Sequence, residues 1–235
     1  MEFEKVDESK HLKVLIFGGN GVGKTVASIT APGPVLIADA EAGLLSIRSE
    51  IISGQVKAVK ISNVDDLKAL SMELKTTAHG FATVVIDSLS EVQIQVMENV
   101  MASQKDKDVP AMRDWYVNTE EMRKIIRFFR DLPMNVIFNC LPKDEHDEQY
   151  GTTVRKPSLS GKLPEEVCGY VDEVLYMFTK EEGDKLERYF LTQPNERVYA
   201  KDRSGKLERI EPPDISNIYN KIFGKSVTKP KGGKA

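Results

Sequence analysis

The sequence predicts one α/β domain: a mainly parallel central sheet flanked by helices, with an antiparallel hairpin at one sheet edge. Three observations carry this. Short apolar segments alternate with helical ones from Leu12 to Cys140, the pattern of crossover connections between parallel strands. A glycine-rich turn, Gly18 to Gly23, stands between a strand and a helix. After Cys140 the alternation stops and strand-like segments follow one another directly.

In chain order, residues 1–11 are polar and read as an N-terminal arm. Leu12 to Phe17 is a continuous apolar run, the signature of a strand buried on both faces. A helix is expected from Lys24 to about Thr30, stopped by Ala31-Pro32-Gly33-Pro34. Val35 to Ala38 and Val56 to Ile61 are the next strands. Leu67, Leu70 and Leu74 recur at helical spacing in a helix that starts near Asp65 and ends at His79-Gly80. Thr83 to Ile86 is a strand that ends in Asp87. A helix over Ser90 to Met101 is broken by the polar segment Gln104 to Arg113. The next helix runs from about Thr119 to Leu132, with Asn118 and Glu121 as a cap pair and Pro133 as its stop. Asn135 to Cys140 is a strand, Leu141 to Lys162 a loop, and Val171 to Phe178 a strand. Arg188 to Thr192 and Arg197 to Ala200, joined by Gln193-Pro194-Asn195-Glu196, form the expected edge hairpin. The folded core spans 12–224. The tail, 225–235, carries four lysines and no acid and is expected to be disordered.

Composition narrows the function classes. The chain has 235 residues and a formal net charge of -3, so any nucleic-acid contact must come from local basic patches. Its two cysteines, Cys140 and Cys168, match no metal or disulfide framework and read as buried thiols in a reducing, cytoplasmic setting. The N-terminus lacks the apolar stretch of a secretory signal. The longest apolar runs are too short for a bilayer span, and no membrane is expected as a partner.

Gly18-Gly19-Asn20-Gly21-Val22-Gly23-Lys24-Thr25 fits the phosphate-binding loop, and its strand–turn–helix setting is the one the mechanism requires. Glycines let backbone N–H groups turn toward the phosphates of ATP. Lys24 supplies a point charge to the β- and γ-phosphates, and the Thr25 hydroxyl is a magnesium ligand. Asp87, at the carboxyl end of a buried strand, faces the crevice where α/β sheets bind ligands. It is the expected second magnesium residue; its other possible use is as a helix N-cap.

Val35-Leu36-Ile37-Ala38-Asp39-Ala40-Glu41-Ala42-Gly43 ends in two carboxylates, and here the sequence resembles the RecA-like recombinases. The resemblance is closer to the small, core-only phage ATPases of the Sak-four type, implicated in single-strand annealing. It rests on Ala31-Pro32-Gly33, Val85-Ile86-Asp87-Ser88-Leu89, Arg113-Asp114-Trp115, Leu132-Pro133, Leu159-x-Gly161-Lys162-Leu163-Pro164 and Ala200-Lys201-Asp202-Arg203, which together cover residues 12 to about 205. The resemblance implies a RecA-like fold and an ATPase in which Glu41 is the general base toward water. It implies a γ-phosphate sensor at the end of the Asn135–Cys140 strand, although Cys140 stands where the family has Gln; Asn139 or Lys143 is then the substitute, with His146 a further candidate whose other reading is a solvated side chain. It also implies that Lys201 and Arg203 reach into a neighbouring subunit's ATP, hence a homo-oligomer, filament or ring.

For single-stranded DNA the same resemblance points to two loops, Gln104 to Tyr116 and Leu141 to Lys162. The first offers Lys105, Lys107, Arg113 and Trp115, the second Arg155 and Lys156. Basic side chains beside aromatics suit backbone contact with base stacking, although a single tryptophan such as Trp115 is more commonly a packing anchor. A single-strand-binding protein is a possible further partner. Two rival readings remain: a DNA-independent P-loop ATPase or switch, and an oligomeric scaffold that binds nucleotide with little turnover.

Overall fold

In the computed structural model, residues 11–102, 109–147, 151–183 and 185–224 are described. Residues 1–10 of the arm expected over 1–11, and the tail over 225–235, lie outside them. The central sheet runs in the order β11-β9-β8-β1-β5-β4-β2-β3. Its parallel part comprises β1 (Lys13–Phe17), β2 (Val35–Asp39), β3 (Val56–Lys60), β4 (Thr83–Asp87) and β5 (Asn135–Cys140), joined by β8 (Glu173–Glu182), which pairs parallel with β1. The antiparallel part adds β9 (Lys185–Leu191), β10 (Lys201–Asp202) and β11 (Ile210–Glu211). Thus the strand before the glycine turn lies between β5 and β8, with one strand between it and the strand that carries Asp87.

Alternating side chains along these strands feed two cores. Leu15, Phe17, Ile86 and Phe138 face α3 (Val64–Thr76), α4 (Leu89–Ala102), α5 (Met112–Arg130) and α6 (Leu163–Tyr170). Val14, Ile16, Ile37 and Phe190 face α1 (Lys24–Ser28) and α7 (Ile215–Phe223). Burial of each such side chain contributes about 1.5–3 kcal/mol. Local signals place the helix ends. Asn63 Oδ1 accepts from the N–H groups of Asp65 and Asp66 at 2.9 and 3.0 Å, and Asp214 Oδ1 accepts from Asn217 N at 3.0 Å.

Several elements depart from the sequence reading. Helix α5 starts at Met112 rather than Thr119. Asn118 therefore caps nothing: it is buried within α5 and exchanges two 2.9 Å hydrogen bonds with Gln93 of α4. The cap belongs to Asp114, whose Oδ2 accepts from Ala111 N at 2.8 Å. The segment read as a loop after Cys140 holds a separate hairpin of β6 (Pro142–Asp147) and β7 (Thr152–Pro157). Its cross-strand partners are largely charged, so it has no apolar face to announce it. The edge hairpin is β8 with β9, registered from Tyr176↔Leu191 to Glu182↔Lys185. The 197–200 segment is not its second strand. The structure adds helix α7, the 3₁₀ turn Leu44–Ile47 and the short helix α2 (Arg48–Ile52).

Candidate functional site: a nucleotide cleft

Strand β1 delivers the glycine turn onto β8. A Cβ on Gly18 would lie 2.4 Å from Met177 O, so only glycine fits there. Gly23 adopts φ 103°, a conformation that L side chains rarely take. Lys24 follows immediately, and its Nζ donates to Gly18 O at 2.8 Å and Gly19 O at 2.9 Å. Burial lowers the Lys24 pKa, while Asp87 and Glu41 act to raise it. The ammonium is thus held across the turn with two carboxylates nearby.

Pairing of β2 with β4 sets Asp39 beside Asp87, which brings two strand-end carboxylates to one edge. Asp87 Oδ2 accepts from Thr25 Oγ1 at 2.6 Å. Burial pushes the Asp87 pKa up, opposed first by that hydrogen bond. Two residues past β2, Glu41 accepts a hydrogen bond from the Ser88 hydroxyl. Gly23, Lys24, Thr25, Glu41 and Asp87 line one cavity of about 420 Å³.

Among the described residues no cluster of three or more His, Cys, Asp or Glu forms a metal cage. The Thr25–Asp87 pair nevertheless fits magnesium, a hard cation that is usually held by few protein oxygens together with phosphate oxygens and water.

The remaining expected site residues fall into three groups. Asn139 is fully buried and does not line the cavity; its Oδ1 accepts from Ser28 Oγ at 3.0 Å. Cys140 lies 3.2 Å from Ser90 Oγ, and burial pushes its thiol up to about 11. A buried, protonated thiol there is no anionic ligand or nucleophile. Lys143 donates to Leu159 O at 2.7 Å, and His146 contacts Thr153 at 3.0 Å.

Lys201 and Arg203 are not on the edge hairpin. Lys201 pairs with Val174 near the start of β8, whereas the glycine turn meets β8 at Met177. Lys201 Nζ donates to the carbonyls of Cys168 and Val171. Arg203 donates to Asp172 Oδ1 at 3.0 Å and Gly169 O at 2.7 Å. Both residues bind carbonyls at the carboxyl end of α6, where cations complement the helix dipole.

Of the DNA candidates, Lys105 and Lys107 lie outside the described residues. Arg113 is exposed on the first turn of α5. Trp115 is 43% exposed and Tyr116 66%, so the packing-anchor reading of Trp115 fails. Its indole borders an apolar groove with Met97, Met101 and Leu141. With Tyr116, it also borders a hollow near Lys162. Arg155 is forked onto Asp144 at 2.7 and 2.8 Å, and Lys156 pairs with Glu165 at 2.7 Å. Neither presents a free charge.

The cleft also gathers residues that no motif marks, among them Ser46, Met177, Pro213 and Arg188. Arg188, on β9, lines the same cavity, and its Nε donates to Val22 O at 3.0 Å. Among the described residues no helix is long and apolar enough to cross a membrane.

Residues 10–204 match a family model described as an AAA domain. No curated protein matches the chain. Solved structures similar to it include a KaiC-like protein from the hyperthermophilic archaeon Pyrococcus horikoshii OT3, at 17% identity and TM-score 0.43, covering 77% of each chain. Another is the flagellar accessory protein FlaH from Methanocaldococcus jannaschii, at 13% identity and TM-score 0.42, covering 81% of this chain and 86% of that one.

Proposed function

The chain belongs to the AAA domain family, and from that premise we propose a magnesium-dependent ATPase that works on single-stranded DNA, in strand annealing or recombination. The observation that carries the ATPase is the convergence of Lys24, Thr25, Asp87 and Glu41 on one cavity. In this reading the glycine turn and Lys24 hold the β- and γ-phosphates. Thr25 and Asp87 would hold magnesium, which would supply neutralising charge to the phosphates when bound. Glu41, positioned by Ser88, accepts a proton from water as its oxygen attacks the γ-phosphorus. The bond from the γ-phosphorus to the bridging oxygen breaks, and that oxygen leaves on ADP.

The DNA part of the reading is supported by the exposed Trp115 and Tyr116 beside Arg113, since base stacking on an aromatic is worth about 1–3 kcal/mol. The resemblance to the phage annealing ATPases adds a homo-oligomer, filament or ring, to the proposal. It also adds a single-strand-binding protein as a candidate partner and the host cytoplasm as the setting. A second reading, an ATPase independent of DNA, is favoured by the ion pairs that occupy Arg155 and Lys156.

The test is the ATPase rate of the parent protein and of Glu41→Gln, with and without single-stranded DNA. The glutamine variant should bind ATP yet lose about 10²–10⁴ in turnover. Turnover within twofold of the parent would remove Glu41 from the chemistry. Stimulation of the parent by DNA supports the first reading, and an unchanged rate supports the second.

A further inference from the structure

Strand β9 packs beside β8, the strand on which the glycine turn rests. Along β9, Arg188 and Phe190 point to one face because successive side chains alternate. Phe190 is buried in the core beneath α1, so Arg188 lies on that same side, at the open rim of the sheet. Its side chain crosses Gly23: a Cβ there would lie 3.3 Å from both Cδ and Nε of Arg188. The Nε bond to Val22 O, at 3.0 Å, fixes the guanidinium plane against the turn. No carboxylate lies within ion-pair distance of Arg188 among the described residues, and Nη1 and Nη2 have no hydrogen-bond partner there. Arg123, Arg155 and Arg203, by contrast, are each tied to carboxylates. An arginine with four unpartnered N–H groups on the wall of a nucleotide cavity is arranged to receive an anion, for which its fork geometry is suited.

We propose that Arg188 is a phosphate-binding residue acting in cis, donating from Nη1 and Nη2 to the polyphosphate of a nucleoside di- or triphosphate seated in its own chain's glycine turn. This rests on the nucleotide reading above and deepens it. Because Arg188 sits beside Val22 and Gly23, its contact is with the part of the polyphosphate that ADP and ATP share. It therefore tightens both, and its effect appears in binding before it appears in the chemical step. A Lys at 188 keeps the charge, whereas a Met keeps only the apolar stem across Gly23.

The experiment is titration of the parent, Arg188→Lys and Arg188→Met with fluorescent ADP and ATP analogues in magnesium buffer, with AMP as competitor and apo-protein melting as a fold check. Arg188→Met should weaken ADP and ATP alike by about tenfold, the size expected of a charge-assisted hydrogen bond partly open to solvent. Arg188→Lys should recover most of that loss, AMP should be affected least, and the apo melting temperatures should agree. Affinities within twofold of the parent for Arg188→Met would overturn the proposal. Equal losses in the Lys and Met variants would also overturn it, because the Nε bond to Val22, and not the charge, would then be the working part. If the parent itself binds neither nucleotide, the ATPase reading fails; if it binds both and only the variants are unaffected, the assignment of Arg188 alone fails.

Discussion

Glu173, at the start of β8, is fully buried. Its Oε1 accepts from Ser204 N at 3.3 Å, and its Oε2 has no hydrogen-bond partner among the described residues. Burial, reinforced by the neighbouring Asp202 carboxylate, pushes its pKa from 4.5 up to about 8. The folded protein therefore keeps a proton that the unfolded chain releases above about pH 4.5. Below that pH the group's contribution to stability is fully present. It falls as pH rises and is lost once pH passes the folded value near 8. At about 1.4 kcal/mol per pH unit the ceiling is about 5 kcal/mol. Burial, the larger cause, belongs to Glu173 alone and the coupling to Asp202 to both groups, so about 2 kcal/mol is the least we expect from one substitution. Glu173→Gln imitates the protonated form, with an acceptor for Ser204 N and a donor toward Asp202. Urea unfolding of both proteins at pH 5, 7 and 8.5 isolates the effect, since every other titrating group is common to the two. The glutamine variant should match the parent at pH 5 and exceed it by at least about 2 kcal/mol at pH 8.5. A difference that does not change with pH would refute the reasoning.

Lys201→Ala/Arg203→Ala should lower unfolding free energy by about 1–3 kcal/mol, because the carbonyls of Cys168, Val171 and Gly169 lose their cations. Mixing this variant with Glu41→Gln protein should restore no ATPase activity; recovery, with co-assembly demonstrated, would return the pair to a role in trans. Trp115→Ala/Tyr116→Ala should weaken single-stranded DNA binding by roughly tenfold or more while leaving ADP affinity unchanged. Fluorescence anisotropy of a labelled oligonucleotide reads this, and an unmoved affinity would place the DNA elsewhere.

The parts of the cleft that were legible in the sequence are those that local chemistry defines. Gly18 to Thr25 is contiguous, and Asp87 and Glu41 each follow an apolar strand closely enough for the strand itself to place them. What escaped depends on register between distant segments. Arg188 meets the glycine turn only because β9 pairs with β8 and β8 with β1, and no periodicity within 185–191 records that neighbour. The β6–β7 hairpin carries no apolar stripe: Asp144 pairs with Arg155 across the strands, while the facing Lys143 and Lys156 are drawn off to Leu159 O and Glu165. Helix α7 did carry a signal: Ile215, Ile218, Tyr219 and Ile222 recur at helical spacing. Asn118 suggests a later start for α5 because it looks like a cap in sequence, whereas its amide satisfies Gln93 across a helix–helix contact.

These placements alter where an assembly would act. The family resemblance assigns part of the catalytic charge to a neighbouring subunit through Lys201 and Arg203. Here both cations are satisfied within their own chain, and drawing them into another subunit's cleft would leave the carboxyl end of α6 without its donors. That transfer costs several charge-assisted hydrogen bonds, each worth about 1.5–3 kcal/mol, before any phosphate contact is made. Meanwhile Arg188 already stands on the wall of its own chain's cavity, its Nη1 and Nη2 groups without a partner among the described residues. On the reading proposed above, Lys24, Arg188, Glu41 and the Thr25–Asp87 pair would supply the charge of the cleft from a single chain. Association between copies would then serve to align the Trp115–Tyr116 surfaces along a strand of DNA. Its effect on hydrolysis would come through positioning of Glu41 and water, and not through supply of a missing cation.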